Sequence, residues 1–119
     1  MDQRIEFVLD LMRNNLHRKL STDKLATLVG LSPSRLHYLF KAEIGTSPAK
    51  HLRYLRLERS RHLLNTTHSS IKQVMIEVGV TDRSHFEREF KRLFGVTPSQ
   101  YRKADLSYVR EPNFELLVP

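Results

Sequence analysis

The sequence contains no cysteine, which rules out disulfides, thiolate nucleophiles and cysteine-ligated zinc sites together. No apolar run approaches the ~20 residues that a membrane-spanning helix needs, and no secretory leader is visible at the start. Strand-like alternation and low-complexity segments are both missing. There is no H-E-x-x-H pair and no glycine-rich phosphate loop. Six histidines are present, at positions 17, 37, 51, 62, 68 and 85, but none stands in a spacing suited to a metal. Ser84 and His85 are neighbours on a helix and point about 100° apart, so they cannot pair as nucleophile and base. These absences argue against an enzyme, a cofactor, a metal and a membrane partner, and they fit a cytoplasmic protein.

Acidic residues are also few where most of the chain lies. The formal net charge is +7 and the pI about 10.1. Three acids, Asp105, Glu111 and Glu115, sit in the last fifteen residues beside a single base, Arg110, so residues 1–104 hold 19 bases against 10 acids. An excess of that size in a small domain suggests a polyanionic partner.

The dominant positive feature is a duplication. The stretch from Leu25 to Pro48 returns from Val74 to Pro98. Gly30 matches Gly79 at an offset of 49, while Ser34, Phe40, Lys41, Gly45 and Pro48 match Ser84, Phe90, Lys91, Gly95 and Pro98 at an offset of 50. One residue is therefore inserted just after the turn of the second copy. A repeat of this period indicates two copies of one supersecondary unit.

Periodicity and caps predict an all-α fold of seven helices. Ile5, Val8, Leu9, Met12 and Leu16 lie on one face of a first helix, Gln3 to Arg18. Ser21 caps a short helix from Thr22 to Val29, which Gly30 ends. Ser32 and Pro33 open a third helix that runs to about Glu43. Pro48 to Leu64, without internal glycine or proline, reads as a long linker helix. The plan then repeats: Ile71 to Val78, Asp82 to Phe94, and a last helix from Pro98 to about Lys103. The expected organisation is a first helix-turn-helix subdomain at 1–47, the linker at 48–64, a second subdomain at 65–104 and a tail at 105–119.

Helix, glycine turn, helix is the layout of a unit whose second helix lies in the DNA major groove. In the first copy Leu36, Leu39 and Phe40 should pack inward, which leaves Ser34, His37, Tyr38 and Lys41 outward. In the second, Phe86 and Phe90 should pack inward, leaving Ser84, Glu87, Arg88 and Lys91 outward, with Arg83 at the helix start. These types suit base edges, since arginine forks onto guanine and glutamate accepts from cytosine N4. Most aromatic residues are expected to be buried and each apolar face to have a packing partner. Both expectations argue against an RNA reader or a membrane-surface helix.

The segments Gly79-Val80-Thr81-Asp82-Arg83-Ser84-His85-Phe86, Phe90-Lys91 and Phe94-Gly95-Val96-Thr97-Pro98-Ser99-Gln100-Tyr101-Arg102, with the linker stretch Arg53 to Leu64, resemble the DNA-binding domain of the AraC/XylS family of bacterial transcription regulators. The resemblance covers about residues 4–103 and implies two helix-turn-helix units joined by a long helix, with two recognition helices entering successive major grooves of double-stranded DNA, most often to activate transcription. It places Ser34, His37, Tyr38, Arg83, Ser84, Glu87 and Arg88 at base-reading positions. Arg35 and His85 fall on the flanks, Thr46, Ser47, Thr97 and Ser99 at helix starts near phosphates. With Lys41 and Lys91, these six form the expected backbone-contacting set. Met75, Val80 and His51 depart from the family's usual alanine, aromatic residue and tyrosine. Members of the family also contact RNA polymerase and often carry an effector-sensing or dimerisation domain, for which this chain has no room. The start at Asp2-Gln3-Arg4-Ile5 resembles the place where the domain follows a linker, which favours a C-terminal fragment over a stand-alone regulator.

Overall fold

The structure, a computed structural model, describes residues 1–103, and the expected tail at 105–119 lies outside them. The described residues form seven α-helices: α1 Gln3–Asn14, α2 Thr22–Leu28, α3 Pro33–Ile44, α4 Pro48–Thr66, α5 Ile71–Val78, α6 Arg83–Phe94 and α7 Pro98–Lys103. No strand occurs among them. The fold is all-α, with two helix-turn-helix units, α2–α3 and α5–α6, and the long α4 between them in the chain.

Side-chain oxygens satisfy the open N–H groups at the helix starts, as they must where no earlier turn can accept them. Ser21, Ser32, Ser70 and Asp82 each accept from the backbone N–H three residues on, and Asp2 accepts from that of Arg4. The turns of the two copies close in the same way. Leu31 N–H reaches back to Ala26 C=O at 3.0 Å, and Val80 N–H to Met75 C=O at 2.9 Å. Both closures need a left-handed residue just before, supplied by Gly30 (φ 71°) and Gly79 (φ 77°). The copies differ by Thr81, which lies exposed between the second closure and the cap Asp82.

Several helix ends depart from the expected ones. The first helix stops at Asn14 rather than Arg18 because Asn15 diverts the backbone: its N–H bonds three residues back to Met12, and its side-chain amide takes the Leu11 carbonyl at 2.9 Å. Leu16 is buried all the same, just past the helix end. Helix α4 extends to Thr66, and the Thr66 and Thr67 hydroxyls donate to the His62 and Leu63 carbonyls near its end. Asp82 is the cap of α6 and not its first residue.

The chain divides into two compact units, Met1–Leu55 and a second that begins at Arg56, so the division falls within α4. In the first, Ile5, Val8, Leu9 and Met12 of α1, Leu25 and Ala26 of α2, Leu36 and Phe40 of α3, and Leu52 of α4 form one core. His51 is buried beside it, edge-on to Phe40 with ring centroids 5.6 Å apart. In the second unit, Leu57, Leu63 and Leu64 of α4, Val74, Met75 and Val78 of α5, Phe86, Phe90, Leu93 and Phe94 of α6, and Tyr101 of α7 are buried. Phe90 is its aromatic hub, 5.9 Å from Phe86, 4.6 Å from Phe94 and 5.9 Å from Tyr101. Ser60 is fully buried and keeps its hydroxyl satisfied on the Leu57 carbonyl at 2.7 Å.

Three large apolar side chains outside the expected inward sets, Phe7, Leu28 and Ile76, are each more than half exposed, as is Tyr38, whose outward place the sequence predicts. They stand singly on different helices, and scattered exposed apolar side chains are ordinary in small folds. No helix among the described residues is long and apolar enough to cross a membrane.

Candidate nucleic-acid interface

Burial of Leu36 and Phe40 sets the roll of α3, and it leaves Ser34, Arg35, His37, Tyr38 and Lys41 exposed. Four of these, Ser34, His37, Tyr38 and Lys41, line a shallow concavity of about 490 Å³ together with Ala42. The Arg35 guanidinium stands over the Tyr38 ring at 5.5 Å from its centroid, a cation–π arrangement that steadies two long side chains in solvent. No acid lies on this face. Glu43, near the C-terminal end of α3, accepts instead from the Asp2 backbone N–H at 3.0 Å.

Burial of Phe86, Phe90, Leu93 and Phe94 sets the roll of α6 in the same way, with Arg83, Ser84, Arg88 and Lys91 exposed and Glu87 and His85 half-buried. Arg83 Nε donates to Glu87 Oε1 at 3.0 Å. The cap Asp82 accepts from His85 N–H at 3.0 Å. That bond above all, with the charges of His85 and Arg88, holds its carboxyl below the usual carboxylate range against a smaller opposing effect of burial. The His85 Nε2 is enclosed, without a hydrogen-bond partner among the described residues, so the ring turns away from the outer face.

Four of the eight expected backbone-contacting residues lie at two further helix starts. Ser47 accepts from Lys50 N–H at 3.2 Å ahead of α4, with Thr46 half-buried beside it. Ahead of α7, Thr97 Oγ1 accepts from Gln100 N–H at 3.2 Å, while Gln100 Oε1 accepts from Thr97 N–H at 2.9 Å. This is a reciprocal capping box, and Ser99 is exposed next to it. In each unit the expected base-reading residues are exposed, apart from the half-buried Glu87, whereas the His85 ring turns inward. The Arg35–Tyr38 stack, the Arg83–Glu87 bond and the role of Gln100 do not emerge from the wheel alone. The first two have as sequence signals only the three- and four-residue spacings that put side chains on one helix face, whereas Gln100 stands at the Thr-x-x-Gln spacing of a capping box. No group of three or more acids and histidines that could hold a metal occurs among the described residues.

Comparison with known proteins agrees with this fold. A family model described as a helix-turn-helix domain matches residues 25–104, and the chain belongs to that family. Within the family it is of the AraC type. A solved structure of a transcriptional regulator from Chromobacterium violaceum, described as of the AraC-type DNA-binding domain-containing proteins, is 37% identical with a TM-score of 0.79, over 85% of this chain and 90% of that one. The transcriptional activator RhaS of Escherichia fergusonii is 29% identical over 102 residues, 86% of this chain and 37% of its own length. The fold is also that of the AdpA DNA-binding domain solved in complex with a target DNA, at TM-score 0.79 and 23% identity over 83% of this chain and 89% of that one. The family is one of transcription regulators, not of enzymes. The chain spans 28 to 37% of the length of the curated relatives it matches.

Proposed function

We propose that this chain is the DNA-binding part of a bacterial transcription regulator, an activator, which reads double-stranded DNA with α3 and α6 in two successive major grooves. The observation that carries the reading is the repetition itself: two helices 50 residues apart each bury matching positions and leave matching polar positions outward. Ser34, His37 and Tyr38 read bases from the first unit and Arg83, Ser84, Glu87 and Arg88 from the second. Arg35, Lys41, Thr46, Ser47, His85, Lys91, Thr97 and Ser99 serve the sugar-phosphate backbone, where contacts fix register without carrying sequence information. For His85 the enclosed Nε2 leaves only its other ring edge for such a contact.

In this reading residues 1–47 and 65–104 are the two DNA-binding subdomains and 48–64 the linker. The protein works in the cytoplasm and contacts RNA polymerase, and an effector-sensing or dimerisation domain accompanies it in a larger regulator. The family supports this, and so does the excess of base over acid in residues 1–104. Selection from a random duplex pool, followed by footprinting of the winning site, tests it. The expected outcome is one site with two protected major-groove segments about one helical turn (10–10.5 base pairs) apart for each protein monomer. Protection of a single groove, or recovery of no common sequence, overturns it.

A further inference from the structure

The Arg83–Glu87 bond gives the second unit a narrower chemistry than either residue has alone. Arg83 is the first residue of α6, where a cation is disfavoured by the helix dipole. An arginine four residues before a glutamate is also the less favourable order for a helical pair, and both side chains are open to solvent, at 57% and 39% exposure. Helix stability is therefore a poor account of the pair. Its geometry is more telling. The bond runs through Arg83 Nε, which leaves Nη1 and Nη2 as an end-on fork, the shape that matches O6 and N7 of guanine. The second oxygen of Glu87 remains to accept from a base amine, cytosine N4 or adenine N6. Opposite guanine or thymine it would meet acceptor oxygens and be repelled.

From this we infer that Arg83 and Glu87 act as one reading unit on two neighbouring base pairs: guanine at the Arg83 fork, and beside it a base that presents an amino group to Glu87. Glu87 positions the fork as well as reading its own neighbour. The inference rests on the proposed placing of α6 in a major groove. Nothing equivalent stands on α3, where the outward arginine, Arg35, stacks on Tyr38 instead.

The test uses the full chain, the duplex chosen by selection, and all sixteen base-pair combinations at the two adjacent positions in the α6 half-site, with affinities read by fluorescence anisotropy at one salt concentration. The wild type should prefer guanine at the first position, and cytosine or adenine at the second, each on the order of tenfold. Glu87→Ala should reduce both preferences to under about threefold while binding to an unrelated duplex stays level or tightens, since a negative charge is gone. Glu87→Gln retains an acceptor for Nε, so it should keep the guanine preference and lose only the second. Arg83→Ala and the double variant Arg83→Ala/Glu87→Ala should discriminate guanine equally poorly, a non-additive cycle.

Undiminished guanine preference in Glu87→Ala, additive effects in the cycle, or an equal weakening of all duplexes would each overturn the inference. The last would mark a purely structural role. A selective wild type with an indifferent Glu87→Ala defeats the inference alone, whereas a wild type that selects no sequence defeats the proposed function with it.

Discussion

Arg88 and Lys91 are three residues apart on α6 and both exposed, yet they are suited to different tasks. A guanidinium presents a planar fork that can tell one base edge from another; an ammonium is a point charge that any phosphate satisfies. Replacing Arg88 by alanine should therefore cost roughly 1–3 kcal/mol at one base position and flatten the preference there. Replacing Lys91 by alanine should weaken all duplexes alike and lower the salt slope by about one. Affinities measured across single-base variants of the selected site separate the two, and a uniform loss for Arg88→Ala would remove it from the reading set. On α3 the comparable outward position is held by Tyr38, 65% exposed with Arg35 over its ring. At this position and the one a turn further on, the first unit presents an aromatic plane and a methyl group, Tyr38 and Ala42, where the second presents Arg88 and Arg92.

At the scale of helices, the packing of α4 on α3 turns on a titratable side chain. His51 is buried against Phe40 and near Tyr54, and burial first, with the charge of Arg13 second, lowers its pKa below that of a free imidazole. The folded chain then holds a neutral ring where the unfolded chain, with a pKa near about 6.5, takes up a proton. His51 should contribute its full stability above that value and lose it progressively as the pH falls towards the lower folded pKa. Denaturation midpoints at about pH 7.5 and 5.5 should differ more for the wild type than for His51→Phe, and identical pH dependence would show that the ring is not held neutral. Most of this architecture was legible in the sequence because its causes are local. Caps, glycine stops and 3.6-residue periodicity are written in neighbouring residues, and α5 and α7 have the predicted bounds. The end of α1 was not legible, since it depends on an asparagine side chain competing with its own backbone. Phe7 and Leu28 lie off the apolar faces that periodicity marks on α1 and α2, and both are more than half exposed. The Arg83–Glu87 bond was hidden because spacing shows that two side chains can meet, not which rotamers they adopt.

Taken whole, the molecule carries its charge unevenly, and all but one of its 20 bases fall within residues 1–104. If both reading helices dock, six or more phosphates are neutralised, and affinity should fall on the order of a thousandfold between about 50 and 200 mM salt. A salt titration of the selected duplex measures this, and a nearly flat line would argue against docking by both units. The repeats themselves carry one further consequence, set by Thr81. The backbone closure before it belongs to α5, through Val80 and Met75, and the cap after it belongs to α6, through Asp82 and His85. Neither bond bridges that one exposed residue. Such a seam lets the chain gain or lose a link while both flanking rods keep their own ends, so a duplicated module could drift in length there without having its interior rebuilt.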